Sequence, residues 1–244
     1  MFTFFHRTTK ITLDCFTAMP EVYNCVPIIK TSRTIPDWWK SLPNPGKGNA
    51  LVNPNDNNNM RRCYGFVELL KKGVTLCNWA DMHLRVTDAG YKFKVTAGVE
   101  PGCHHTDQYQ GAFLDWFHVK MHSPWYFREK TGVQFLFMGA EWLLDKYDFK
   151  VLPGVVEFQV NAATNVNIMV QARRDPYDIF LPAGQPLVQL IPLTENKTIE
   201  VKCHVVTDAE YSKIARHHIT YRGIKEQLKL YKKAHTPESK CPFH

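Results

Sequence analysis

The sequence predicts a mainly β domain, a sandwich or barrel, with one α-helix packed on it near the C-terminus. Three observations predict it. Between Ala112 and Leu193 short apolar or alternating runs recur, separated by turn residues at Ser123-Pro124, Gly132, Gly139, Pro153-Gly154, Asp175-Pro176 and Pro182-Ala-Gly184. Several short strands at such spacing favour a two-sheet or closed β architecture. Thr207-Asp-Ala-Glu210 has the form of a capping box, in which hydroxyl and carboxylate each satisfy a free amide at a helix start. Aromatic residues make up 13% of the 244 residues, enough large side chains to fill a core without metal or disulfide staples.

Along the chain, residues 1–30 hold short apolar runs such as Val26-Pro-Ile-Ile-Lys30, which read as strands or an extended arm. Ile35-Pro-Asp-Trp-Trp-Lys-Ser-Leu-Pro43 is bounded by prolines, so it holds at most one short helical turn. Its two tryptophans read as anchors against the core. Residues 44–59 are rich in Asn, Gly and Pro and read as a loop. Cys63–Gly73 has apolar residues at helical spacing and ends on glycine, as a short helix does. Val74–Ala80, Leu84–Asp88 and the alternating Tyr91–Thr96 read as strands. The dense series from 112 to 192 follows, and Ile199–Val206 is a last strand. The helix opened by Thr207 extends to about Ala234 and carries Lys213, Arg216, Arg222, Lys225, Lys229, Lys232 and Lys233. The expected organisation is an arm and loop over 1–60, a β-rich core over 61–206, and a basic helix and tail over 207–244.

Composition narrows the classes. Charged residues are 22% and hydrophobic residues 44%, ordinary for a globular chain. The net charge of +7 suits an anionic partner such as nucleic acid, with a solvated surface as the plain alternative. Seven cysteines are widely spaced with no Cys-x-x-Cys pair, so they read as reduced, mostly buried thiols rather than a zinc ribbon or a disulfide framework. The N-terminus lacks the pattern of a secretory signal, and no window approaches a membrane span. The expectation is a soluble protein with no membrane partner.

One pattern points to metal chemistry. His105-Thr-Asp107 places an imidazole and a carboxylate on one side of a strand. With the distal His204 they would form the facial triad that holds Fe(II) and leaves positions open for oxygen and a co-substrate. This order is similar to that of 2-oxoglutarate/Fe(II) oxygenases, whose fold is a jelly-roll or double-stranded β-helix. The resemblance implies a distal cation for the 2-oxoglutarate carboxylate, here Arg216. His104 is an alternative ligand of a cupin-like site, although the usual His-x-His is missing. Lys120, Trp125, His104 and Gln108 are candidate surface contacts for a ligand, since a tryptophan beside a lysine can stack a base or a sugar. Trp125 is also placed to anchor the core at a strand bend. His118 and His122, four apart without a zinc-protease glutamate, read as core-edge groups, and His217-His218 as surface groups.

Several segments resemble, in order over about residues 26–206, an uncharacterised family of phage and bacterial proteins. They are Ile35-Pro-Asp-Trp-Trp-Lys40, Cys63–Gly73 with Asn78-Trp-Ala-Asp81, Lys120-x-x-Ser-Pro-Trp125 with Thr131-Gly132, Leu152-Pro-Gly-Val-Val156 and Pro182-Ala-Gly-Gln-Pro-Leu-Val-Gln-Leu-Ile-Pro192. The resemblance implies a virus-encoded protein of the host cytoplasm or the virion, and it brings no activity. A weaker resemblance, in Gly154-Val-Val with Gly184-Gln-Pro-Leu-Val-Gln-Leu-Ile191, is to the closing half of the dUTPase and dCTP-deaminase barrel. Glu157 stands where that family has aspartate, and its tyrosine-arginine-glycine and early Ala-Gly-x-Asp-Leu motifs are absent.

The expected function is therefore a non-catalytic phage protein, a virion or assembly component with homo-oligomeric or virion partners. The alternatives are the Fe(II)/2-oxoglutarate oxygenase centred on His105, Asp107 and His204, and a degenerate dUTPase-like nucleotide-binding barrel.

Overall fold

The computed structural model describes residues 9–43, 60–96, 102, 113–144, 147–194 and 197–216. Over these residues the chain is mainly β, built from four sheets. β1 (Thr9–Thr17) is followed by α1 (Pro20–Cys25), β2 (Ile29–Lys30), α2 (Asp37–Ser41), α3 (Tyr64–Lys71), β3 (Val74–Cys77), β4 (Met82–Val86) and β5 (Tyr91–Val95). Then come β6 (Trp116–Met121), β7 (Tyr126–Arg128), β8 (Gln134–Gly139), α4 (Glu141–Leu144), β9 (Phe149–Val151), β10 (Gly154–Glu157), β11 (Val166–Gln171), β12 (Tyr177–Leu181), β13 (Pro186–Pro192), β14 (Lys197–Val205) and α5 (Asp208–Arg216).

The largest sheet has the order β10-β8-β13-β3-β2, and three-stranded sheets run β14-β1-β7, β6-β11-β9 and β12-β4-β5. One buried cluster joins all four: Ile11 and Leu13, Leu76 and Val188, Val119 and Ile168, and Leu84 and Ile179 belong to it. The arrangement is that of a sandwich. The barrel alternative does not form, because no sheet among the described residues closes on itself. The two segments similar to the dUTPase barrel become β10 and β13, and they flank β8 from either side in one open sheet.

Most pairings are antiparallel, but β1 and β14 pair in parallel, from Thr9 opposite Lys197 to Thr17 opposite Val205. β7 covers the other edge of β1. Residues 9–17, expected in an N-terminal arm, thus form the middle strand of a sheet, with Ile11, Leu13 and Cys15 fully buried. The reason is their period-2 pattern, which gives β1 one apolar face.

α3 is joined to the large sheet by two devices. Gly73 follows its last turn with φ +80°, the left-handed conformation that glycine adopts without steric cost. A Cβ at this position would lie 2.0 Å from the Leu190 carbonyl oxygen of β13. From the same strand, the buried Gln189 side chain donates to the Leu69 and Lys72 carbonyls at 2.8 and 3.0 Å, satisfying acceptors that a helix end leaves open. The capping box forms as the sequence predicts: Thr207 N–H donates to Glu210 Oε2 at 3.0 Å, and Glu210 N–H donates back to Thr207 Oγ1 at 3.3 Å. The continuation of α5 toward Ala234 lies outside the described residues.

Candidate functional site

The β12-β4-β5 sheet has one face in the core and one in solvent. Strict alternation in β4 buries Met82, Leu84 and Val86 and turns His83 and Arg85 outward. β5 turns Lys92 and Lys94 out in the same way, and β12 turns out Asp178 and Phe180. Register aligns them in two rows: Phe180, His83 and Lys94, then Asp178, Arg85 and Lys92.

In the first row the His83 and Phe180 rings stack with centroids 4.3 Å apart and 5° between planes. Phe180 remains 63% exposed. In the second row Asp178 accepts from Arg85 Nη1 at 3.0 Å and pairs with His83 Nε2 at 2.6 Å. Lys92 and Lys94 have no ion pair among the described residues. A cleft of about 680 Å³ opens at one end of the sheet, walled by Asp81, His83, Lys94, Phe180, Leu181 and Pro182 among others. A second, of about 320 Å³, opens at the other end beside Arg85, Gly90, Tyr91 and Lys92.

The Leu181–Pro182 wall of the larger cleft is fixed by hydrogen bonds. Asn78, fully buried, donates through Nδ2 to the carbonyls of Ala80, Leu181 and Pro182 at 2.6, 2.8 and 3.1 Å. Asp81 accepts from the Ala183 N–H at 2.8 Å. The Pro182–Gly184 turn is thereby held to the start of β4.

A separate aromatic cluster lies where α2, α3 and α4 meet. Phe66 is buried beneath Trp38, at 5.5 Å between centroids, and against the edge of Trp142, at 4.3 Å. The two tryptophans keep 40% and 42% of their surface exposed. The expected core anchor at Trp38 is therefore only half an anchor, because α2 is too short to bury it: none of its five residues is buried.

The residues expected to hold Fe(II) and its co-substrate are only partly described. His105 and Asp107 lie outside the described residues, as do the Arg216 side chain and the candidate ligand contacts His104 and Gln108. His204 sits on β14 with Nε2 2.9 Å from Asp14 Oδ1, its ring stacked on Phe16 at 5.0 Å. Its partners thus come from the neighbouring parallel strand. No group of three or more His, Cys, Asp and Glu side chains among the described residues is arranged to hold a metal.

Lys120 lies in β6, bridged through its backbone to Gly102 in both directions at 2.8 and 2.9 Å. Trp125 is fully buried, so it presents no surface to a ligand; the apolar surroundings at the bend before β7 enclose it. His118 is buried with Nε2 3.1 Å from Asn167 Oδ1, the core-edge role expected of it. His122 is held below the usual imidazole range, first by burial and then by Lys120.

The two buried cysteines, Cys15 and Cys77, are not activated nucleophiles, whereas the half-buried Cys203 thiol is held below its ordinary value, first by its hydrogen bond with Cys15. Cys15 is fully buried opposite Cys203, and burial first, then Cys203, pushes its thiol well above its ordinary value. Burial pushes Cys77 up to about 11. Thiols of this kind are inert, because the thiolate is the reactive form.

Sequence reasoning missed both surface features. The alternation of cations in Met82–Val86 and Tyr91–Val95 was legible, but the register that brings Phe180 beside them was not. Comparison with protein-family models, with curated proteins and with solved structures finds no match for this chain. Among the described residues no helix is long and apolar enough to cross a membrane.

Proposed function

We propose that this chain is a non-catalytic phage protein, a virion or assembly component that works by contact in the host cytoplasm or in the particle. The observation that carries the reading is the surface cluster of Trp38, Phe66 and Trp142. Exposed tryptophans packed on a buried ring are rigid, and they lose little conformational freedom when covered, which is why such residues dominate protein interfaces. The contact is with a second copy of the chain. Two copies of a chain of net charge +7 repel, but beside this cluster the charges of α2 and α3 are internally matched: Lys40 pairs with Asp37 at 2.8 Å and Lys71 with Glu68 at 3.3 Å. The charges within these two helices therefore add little to that repulsion.

Sedimentation velocity over a range of concentrations tests this. The expected result is self-association in the wild type that is lost in the double variant Trp38→Ser/Trp142→Ser. A wild type that remains monomeric at every concentration overturns the reading. Anaerobic addition of Fe(II) and 2-oxoglutarate supplies the opposing test, since a visible charge-transfer band would show the oxygenase instead.

A further inference from the structure

We propose that the outer face of the β12-β4-β5 sheet binds single-stranded nucleic acid. The face joins the two elements such binding needs, a stacking platform and a track of cations. The platform is Phe180, stacked on His83 at 4.3 Å and still 63% exposed. A phenylalanine so placed gains nothing for the core, which β12 already supplies through Ile179 and Leu181. The track is Lys94 and Lys92, which register places opposite His83 and Arg85 beside the platform. The one carboxylate in the two rows, Asp178, is taken up by His83 and Arg85, so the two lysines present their charge outward.

The two clefts specify a chain rather than a mononucleotide. They open at opposite ends of the same face, about 680 Å³ beside Phe180 and Lys94 and about 320 Å³ beside Tyr91 and Lys92. One base fills the larger cleft against Phe180, and the strand crosses the lysines toward the smaller cleft. A duplex keeps its bases stacked on one another and cannot offer one to Phe180. The inference stands apart from self-association, which uses other residues.

Fluorescence anisotropy with short labelled oligothymidine and oligouridine, at low salt and then across a salt series, tests the proposal. Wild type binds at least one of the two. Phe180→Ala weakens binding by about tenfold, the lower range for losing one stacked base, and leaves the salt slope unchanged, whereas Phe180→Trp restores affinity. Lys92→Gln/Lys94→Gln weakens binding and reduces the slope of log affinity against log salt by about 1.4, roughly 0.7 per phosphate contact on a single strand. All three positions are exposed, and unchanged melting temperatures verify that the variants fold. Absence of binding at low salt overturns the proposal. So does full affinity in the Phe180 and lysine variants, which would assign binding to the basic C-terminal segment, and so does equal competition by duplex.

Discussion

Replacing Gly73 by alanine tests the join between α3 and the large sheet. Two costs add. A non-glycine residue held at φ +80° costs about 1–3 kcal/mol. The new Cβ would lie 2.0 Å from the Leu190 carbonyl oxygen and 3.2 Å from the Ile191 Cα, so backbone must move. Leu190 cannot yield cheaply: it is fully buried, and its strand pairs with β3 on one side and β8 on the other. Forced repacking of this kind costs about 1–3 kcal/mol. The sum is about 4 kcal/mol, and at roughly 2–4 °C per kcal/mol for a chain of this size the melting temperature falls by about 8–16 °C. Gly65→Ala is the matched control. It lies in the first turn of α3 with nothing inside 4 Å of the added Cβ, so it leaves stability unchanged or raises it by at most about 0.5–1 kcal/mol, the value for a mid-helix glycine. Thermal melts followed by tryptophan fluorescence read both. If Gly73→Ala melts within about 2 °C of wild type, the left-handed turn against β13 is wrong.

Other perturbations have definite signs. Gln189→Ala leaves the Leu69 and Lys72 carbonyls without their donor and lowers stability by about 1–3 kcal/mol in urea titrations. Asn78→Asp turns an oxygen toward the Ala80, Leu181 and Pro182 carbonyls in place of the donating amide; it costs about 3 kcal/mol or more, and Asn78→Ala costs less. Cys77, held at about 11 by burial against an ordinary thiol value of 9.0, keeps its proton in the native state where an unfolded thiol loses it. Its contribution is full below about pH 9 and drains away as pH rises through about 11. The urea midpoint therefore falls more steeply between pH 8 and pH 10.5 in wild type than in Cys77→Ala.

Local signals in the sequence carried most elements. The helix before Gly73, the capping box at Thr207 and the turns at Gly132 and Pro182–Gly184 depend on residues a few positions apart, and each formed. The pairing of strands depends on closures that local pattern does not encode. β1 read as an arm because its partner β14 is far along the chain: Asp14 and His204 are 190 positions apart. The same holds at the sheet face. Outward lysines in Tyr91–Val95 follow from alternation alone, but His83 meets Asp178 across 95 positions, so the stack of Phe180 on His83 came only with the fold. Trp125 beside Lys120 suggested a stacking site, yet apolar surroundings enclosed the tryptophan. The exposed aromatic that register sets beside the outward lysines is Phe180, which no sequence motif marks.

The measurement that bears most directly on a protein that works by contact is hydrogen–deuterium exchange, with and without oligonucleotide and at low and high protein concentration. Oligothymidine or oligouridine should slow exchange in β4, β5 and β12, and raised concentration should slow it in α2, α3 and α4. No change in either region, or protection by oligonucleotide confined to segments away from β4, β5 and β12, would contradict the account.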